Sequence, residues 1–474
     1  MHKPKSLPLR PAPLLNWGIP AIVLFSYCLL AFQPDLRLAV PELICVTAVI
    51  TSLLASVLFF GERQRIAWSP ALILTVAAAA RLLFLFRAPE LSDDIYRYLW
   101  DGLALLSGKN PYAVAPALMH PATETLAGLQ QLVNHAELVT IYPPAAQLVF
   151  AIGALFGGSI VGLKLLLILL DLASCLLIMR LLAAFRQPAW PAVLYAWQPL
   201  AVLEVGASGH IDSAGIFFFL VTLYLMSGRN APGTQITLVT ASDQPVTRRR
   251  NFPRLVLAGG AFSCAVLVKL LPLIFLPGIL LVLRRHSRPF LLGAAIGGAA
   301  LLLPFLPGLT NAVGTMQTYA LHWEFAGFTF RSLRQASGSG ESARMILAAV
   351  FLVVAGYRYA RLAVNQQRLA LQENNTSLLA ALQACSEVTF CFLLLTPTLH
   401  PWYALYLAAI LPFAAGAARF VLCWSVFLGY QVLLPYTILG QWREDGLTAA
   451  LVSLAPITAF LAVTLLRRLE RRPE

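Results

Sequence analysis

The chain has 474 residues, 59% hydrophobic and only 12% charged, with a mean hydropathy of +0.76. Soluble domains run at roughly 45–50% apolar and about 25% charged, so an ordinary soluble protein is excluded. Continuous apolar runs, in place of short alternating segments, also exclude a transmembrane β-barrel. The formal net charge of +13 is concentrated in alternate loops between apolar runs, which is a membrane-topology signal and not a nucleic-acid footprint.

Taken in chain order, the basic start MHKPKSLPLR leads into an apolar run with no small-residue cleavage site behind it, which predicts a retained anchor. Spans are predicted near 14–32, 41–60, 70–87, 160–181, 190–206, 212–228, 255–270, 272–284, 289–306, 343–360, 377–396, 402–418, 420–438 and 447–466. The fold class is therefore an all-α polytopic membrane protein of about fourteen transmembrane helices. With the N-terminus in the cytoplasm, most Lys and Arg fall on the cytoplasmic side, including Arg63, Arg65, Arg180, Arg186, Arg284, Arg285, Arg358, Arg361 and the Arg248–Arg250 triplet. That bias predicts both termini inside; the expected location is the plasma (inner) membrane.

The segment 142–158 tests this topology. If it crossed, every later arginine-rich loop would face outward, and it is short for a span, so it reads as a helix lying on the outer surface. Residues 88–159 then form one long outer loop, and such loops are usually functional. The expected organisation is an N-terminal tail and hairpin (1–60), a core (61–306) carrying that loop, a second outer loop (307–342) and C-terminal transmembrane helices (343–474). ASGSGES (Ala336–Ser342) has linker composition. Residues 229–254 read as a flexible basic connector. No fixed-period repeat is present, and the seven Cys form no CxxC and read as buried small hydrophobes.

The long loop opens with LSDDIYRYLWDG (Leu91–Gly102). Asp94, Arg97 and Asp101 share one face of a helix, while Ile95, Tyr98, Leu99, Leu103 and Leu106 line the other. Ser92 or Asp93 is placed to cap it. The structural reading is that two acids merely favour a helix N-terminus. The functional reading makes one of them a general base for a hydroxyl nucleophile, its basicity restored by the adjacent like charge.

SDDIYRYLWDG, SGKNPY (Ser107–Tyr112) and YPP (Tyr142–Pro144) resemble the first outer loop of the GT-C superfamily, multi-pass glycosyltransferases that use polyprenyl-phosphate sugars. The chain is similar to bacterial polyprenol-phosphomannose-dependent mannosyltransferases, and more distantly to the first mannosyltransferase of GPI-anchor synthesis. WQPLAVLEVGASGHID (Trp197–Asp212), VKLLPLIFLP (Val268–Pro277) and TPTLHPWY (Thr396–Tyr403) follow in the family's order. The resemblance implies a GT-C-like core and a catalytic acid at the start of the first outer loop. Its expected partners are a polyprenyl-phosphate sugar donor, a glycan or glycolipid acceptor and the lipid bilayer, with no nucleic acid. The family's loop follows its first span; here it follows the third, which implies an added N-terminal hairpin. Some members carry DxD or ExD where this chain has an adjacent DD. That leaves open which acid is the base and whether a divalent metal takes part; no other cofactor is expected. Asp94 is the preferred base because it heads the polar stripe that Arg97 and Asp101 continue, with Asp93 in support.

The remaining candidates are substrate-binding, and each has a bland counterpart. Tyr142 comes with the YPP motif. His210 and Asp212 sit in SGHID, where a glycine-rich turn with incidental polar residues is the alternative to contact with sugar or phosphate. Lys269 near a span end either snorkels to the interface or binds the lipid phosphate, since an intramembrane charge usually has a function or a partner. Lys164 and Asp171, seven apart, read as an internal charge-balancing contact; Glu204 and Glu387 are expected to face a cavity or be paired. His400, Trp402 and Tyr403 suit either an aromatic belt or sugar stacking. In the second loop, His322 and Arg331 are the candidates against a solvated face, the Arg fork matching phosphate oxygens. No P-loop, GxGxxG or HExxH occurs, and the seven His are dispersed. The rival classes are a lipid or sugar transporter and a scaffold subunit. Convergence of Asp93, Asp94, His210, Lys269, Arg331 and His400 on one cavity would favour a transferase.

Overall fold

The computed structural model describes residues 13–62, 66–227, 252–369 and 374–469. Apart from isolated bridges from Phe325 and Ala326 to Thr398, regular structure among them is entirely helical. Among the described residues, seven stretches are long and apolar enough to cross a membrane: Val40–Leu58, Ile160–Ala184, Leu271–Phe305, Gly340–Gln366, Thr376–Leu395, Ala417–Leu439 and Gly446–Leu466. Shorter apolar helices accompany them, among them Leu15–Ala31, Pro70–Leu82, Asp212–Met226 and Phe252–Val268. The protein is therefore a multi-pass membrane protein. The Arg248–Arg250 triplet and most of the basic connector around it lie outside the described residues.

The first elements are α1 (Pro13–Ala31), α2 (Val40–Glu62), α3 (Pro70–Leu82), α4 (Asp94–Leu106), α5 (Glu124–Leu132), α6 (Pro144–Ala154) and α7 (Ile160–Ala184). Local chemistry sets their starts. Ser69 Oγ accepts from Leu72 N at the head of α3, Thr123 Oγ1 from Leu126 N at α5, and Ser159 Oγ from Gly162 N at α7. Proline occupies the first turn of α3 and α6. The eleven residues of α6 rise only about 16 Å, half the bilayer's hydrocarbon thickness, so α6 does not cross by itself. It packs instead on α4 and α7. Tyr98 stacks on Phe150 at 4.5 Å, and a Cβ at Gly102 would lie 2.4 Å from the Phe150 carbonyl oxygen.

A buried charge network locks α3 to α7. Arg81 Nε is 2.5 Å from Asp171 Oδ2, and its Nη1 donates to the Ala77 and Ala196 carbonyls. Tyr195 donates its hydroxyl to the other Asp171 oxygen. The expected contact between Lys164 and Asp171 is thus corrected. Two turns separate them by roughly 10 Å of rise, and each faces a different neighbour. Lys164 Nζ donates to the Phe84 and Arg87 carbonyls at 2.6 and 3.0 Å, just past the end of α3.

The turn between α1 and α2 is tied to the chain just before the acidic pair. Leu36 N donates to Glu90 Oε2 at 3.0 Å, and Arg87 Nη1 donates to the Ala31 and Gln33 carbonyls.

Two further expectations are revised. The predicted span at 190–206 is not one regular helix: 3-10 and α turns over 190–196 give way to a π-helical stretch, Ala201–Ala207. The linker reading of Ala336–Ser342 gives way to helices Phe328–Ser337 and Gly340–Leu369, separated only by a left-handed Gly338 (φ 67°) and Ser339. The second loop is itself helical over Leu309–His322.

Candidate active site

A cavity of about 890 Å³ opens where α4, the loop after α5, and the segments around 269, 319–325, 400–403 and 430–442 meet. Asp93 and Asp94 lie on one wall. Ser92 Oγ, not Asp93, accepts from Asp94 N at 3.3 Å, and Asp93 makes no capping bond. The capping duty therefore falls to a hydroxyl.

The Asp94 side chain is 19% exposed. Asn134 Nδ2 donates to its Oδ1 at 2.9 Å, and the Tyr142 hydroxyl lies 3.4 Å from its Oδ2. Burial and then the neighbouring Asp93 charge push its carboxyl up to about 6, while the Asn134 bond and Lys269 pull the other way. A carboxylate with that affinity for protons is suited to general-base work near neutrality.

Lys269 Nζ lies 2.8 Å from both oxygens of the fully buried Asp212 and 4.6 Å from the Tyr403 ring centroid. It lines the same cavity as Asp94, and its charge is felt by the Asp94 carboxyl. The aromatic wall is a stacked column: Phe325 on His400 at 4.7 Å, His400 on Trp402 at 4.4 Å, and Trp402 on His210 at 4.0 Å. His400 is carried there by the backbone, because Leu399 N donates to Phe325 O and Phe325 N to Pro397 O. Burial, with Lys269 nearby, pushes the His400 imidazole down to about 3, so it serves as a neutral ring. The same causes hold His210 well below its ordinary range. Tyr319 and Tyr403 pair through their hydroxyls, and Trp323 packs against Tyr319 and His135.

The structure brings together Asp93, Asp94, Arg97, Tyr142, Lys269, His400, Trp402 and Tyr403 as lining residues, with His210 and Asp212 directly behind them. Three candidates are not brought in. Asp101 is buried against Arg97 Nε at 3.0 Å and faces Gln147. His322 is exposed and outside the lining. Arg331 is bound by Glu444 at 2.6 Å. Arg97 reaches the cavity only with its flank, since its guanidinium donates to the Leu138 and His135 carbonyls and so holds the loop that carries Asn134.

Sequence reasoning missed Asn134, Tyr319 and Arg37, the last reaching the cavity from the turn between α1 and α2. It named Glu204 without a partner; the partner is Tyr430, whose hydroxyl lies 2.8 and 2.9 Å from the two carboxyl oxygens. Glu387 pairs with Arg358 and accepts from Gln383. No group of three or more His, Cys, Asp and Glu side chains stands in metal-ligating arrangement among the described residues.

A family model described as alpha-(1->6)-mannopyranosyltransferase, N-terminal domain, of the MptA_B family, matches residues 28–285, more than half of the chain. Among solved structures, the chain is similar to the crystal structure of ArnT from Cupriavidus metallidurans bound to undecaprenyl phosphate. That likeness has 16% identity and a TM-score of 0.45, over 84% of this chain and 72% of that one. No curated protein matches the sequence.

Proposed function

Because the chain belongs to the MptA_B family of alpha-(1->6)-mannopyranosyltransferases, we propose that it moves mannose from a polyprenyl-phosphate mannose to an acceptor hydroxyl on the outer face of the membrane, with inversion. The observation that carries this reading is one cavity lined by a proton-accepting carboxyl, Asp94, a cation, Lys269, and the aromatic rings of His400, Trp402 and Tyr403. Asp93, Asp94, Lys269 and His400 line it with His210 directly behind, while Arg331 is held by Glu444 outside it; convergence of five of the six candidates supports a transferase over a transporter, which would need its charges along a through-path.

In the reaction, Asp94 takes the acceptor hydroxyl proton as that oxygen bonds to the anomeric carbon. The bond from the anomeric carbon to the phosphate oxygen breaks, and polyprenyl phosphate leaves with the electron pair. Lys269 stabilises the charge that develops on it. Attack opposite the leaving group inverts the anomeric centre, so an α-linked product requires a β-configured donor phosphate. Trp402 and Tyr403 supply faces for the sugar, and Asn134 and Tyr142 hold the base. Nucleotide sugars stay in the cytoplasm, so an outer-face transferase needs a lipid-borne donor. Val432, Leu433, Tyr436 and Trp442 make one side of the cavity apolar, and Tyr436 and Trp442 are about half exposed, a surface suited to a polyprenyl tail.

The full-length protein, reconstituted in vesicles, should transfer label from polyprenyl-phosphate mannose to an alkyl mannoside and leave GDP-mannose untouched. Transfer from GDP-mannose alone would overturn the donor assignment. Equal transfer from polyprenyl-phosphate glucose would overturn the sugar.

A further inference from the structure

His210 is fully buried, and neither ring nitrogen has a hydrogen-bond partner. Carboxyl groups nevertheless stand on both sides of it. Glu204 Oε2 is 3.5 Å from Nε2, and Asp94 Oδ2 is 3.9 Å from Nδ1. The ring is held between them from several directions. His210 N donates to the Glu204 carbonyl at 2.8 Å, and the imidazole stacks on Trp402. The preceding Gly209 adopts φ 73°, where an added Cβ would lie 2.4 Å from Ile95 Cδ1. The π-helical stretch Ala201–Ala207 ends here, and such turns recur at functional sites.

A neutral imidazole donates from one nitrogen and accepts at the other. With Asp94 ionised as the base, bonding both neighbours requires Nδ1 to donate to Asp94 and Nε2 to accept from Glu204. Glu204 is fully buried and its hydrogen-bond partner is the neutral Tyr430 phenol, surroundings in which a carboxyl keeps its proton. The donors then all point one way: Tyr430 O–H to Glu204, Glu204 O–H to His210 Nε2, and His210 Nδ1–H to Asp94. Both His210 contacts close to bonding range with shifts of about 1 Å or less, and such bonds commonly tighten only when substrate binds.

We propose that Glu204 and His210 are positioning residues for Asp94: Glu204 fixes the imidazole tautomer, and His210 Nδ1–H turns and holds the Asp94 carboxylate for the acceptor hydroxyl. The inference rests on Asp94 being the base. The other titratable or charged groups facing these three are Asp93, Tyr98, Tyr142, Tyr319, Tyr430, His400 and the Lys269–Asp212 pair.

The experiment is the pH profile of kcat/KM for the reconstituted full chain with labelled polyprenyl-phosphate mannose and octyl mannoside. Glu204→Ala should lower kcat/KM by about ten- to a hundredfold and move its acid limb to higher pH, since a carboxylate that loses a donor protonates more readily. Glu204→Gln should bring the limb back and recover most of the rate, because its amide donates to Nε2 while its carbonyl accepts from Tyr430. His210→Phe keeps the stack but not the donor, and should shift the limb as Glu204→Ala does; it serves where Glu204→Ala does not fold. A Gln variant as impaired as Ala, or an unmoved limb in His210→Phe, overturns the proposal. Asp94→Asn in the same assay separates the two levels: full activity there removes the base itself, whereas an inactive Asp94→Asn beside unmoved limbs removes only the positioning role.

Discussion

Asn134 donates a 2.9 Å hydrogen bond to Asp94 Oδ1 across forty residues of chain. A donor to the ionised form lowers a carboxyl's proton affinity, and here it offsets part of what burial and Asp93 raise. The base must be ionised to act. Activity should therefore be full above the Asp94 value of about 6 and be lost as pH falls through it. Asn134→Ala should move that loss to higher pH, because the charged form has lost a partner. A kcat/KM profile from about pH 5 to about pH 8 reads both effects; an identical acid limb in the variant would contradict the assignment.

Lys269 serves structure and chemistry at once. Removing it alone leaves Asp212 buried and unpaired, which should cost about 3–5 kcal/mol of stability. Replacing both partners, as in Lys269→Met with Asp212→Asn, should recover most of that stability, since paired removal of a buried ion pair is often neutral. The donor KM should stay high in the double variant, because the phosphate still lacks its cation. Thermal unfolding in detergent and donor KM separate the two; a double variant with the original KM would remove Lys269 from phosphate binding.

The Arg81–Asp171 pair is fully buried on both sides, and neither residue lines the cavity. Asp171→Ala should destabilise the fold by about 3–5 kcal/mol through the stranded guanidinium. A melting-temperature comparison is enough, and a change below about 1 kcal/mol, the range of exposed pairs, would show that the network is dispensable.

Trp402 is sandwiched between His210 and His400. Trp402→Phe keeps a ring in the stack, whereas Trp402→Ala removes it, and each aromatic pair is worth about 0.5–1.5 kcal/mol beyond its buried area. The Ala variant should raise the donor KM by at least about tenfold, with Phe between it and the parent. Steady-state kinetics decide the matter, and an unchanged KM in the Ala variant would leave the column a purely structural feature.

What could be read in the sequence was what depends on local spacing. The stripe of α4, the acidic pair heading it, the brevity of α6 and the charge at Lys269 all follow from neighbours a few residues apart. Asn134 carried no such signal, because its meaning lies in a contact forty residues away, made possible by Arg97 pinning the 135–138 loop. Glu204 and Tyr430 are further apart still. The same distance effect works in reverse at Arg331: as an isolated guanidinium it suits phosphate, but folding hands it to Glu444. The break in the 190–206 run was hidden because apolar composition is indifferent to whether the backbone forms an α or a π turn.

The most direct measurement is mannosyl transfer by Asp94→Asn in reconstituted vesicles, with the melting temperature recorded alongside. Asn keeps the shape and cannot take the acceptor's proton, so transfer should fall by at least about a hundredfold in a protein that melts as the parent does, with a smaller fall for Asp93→Asn. A folded Asp94→Asn protein that transfers mannose at the parental rate would contradict the account.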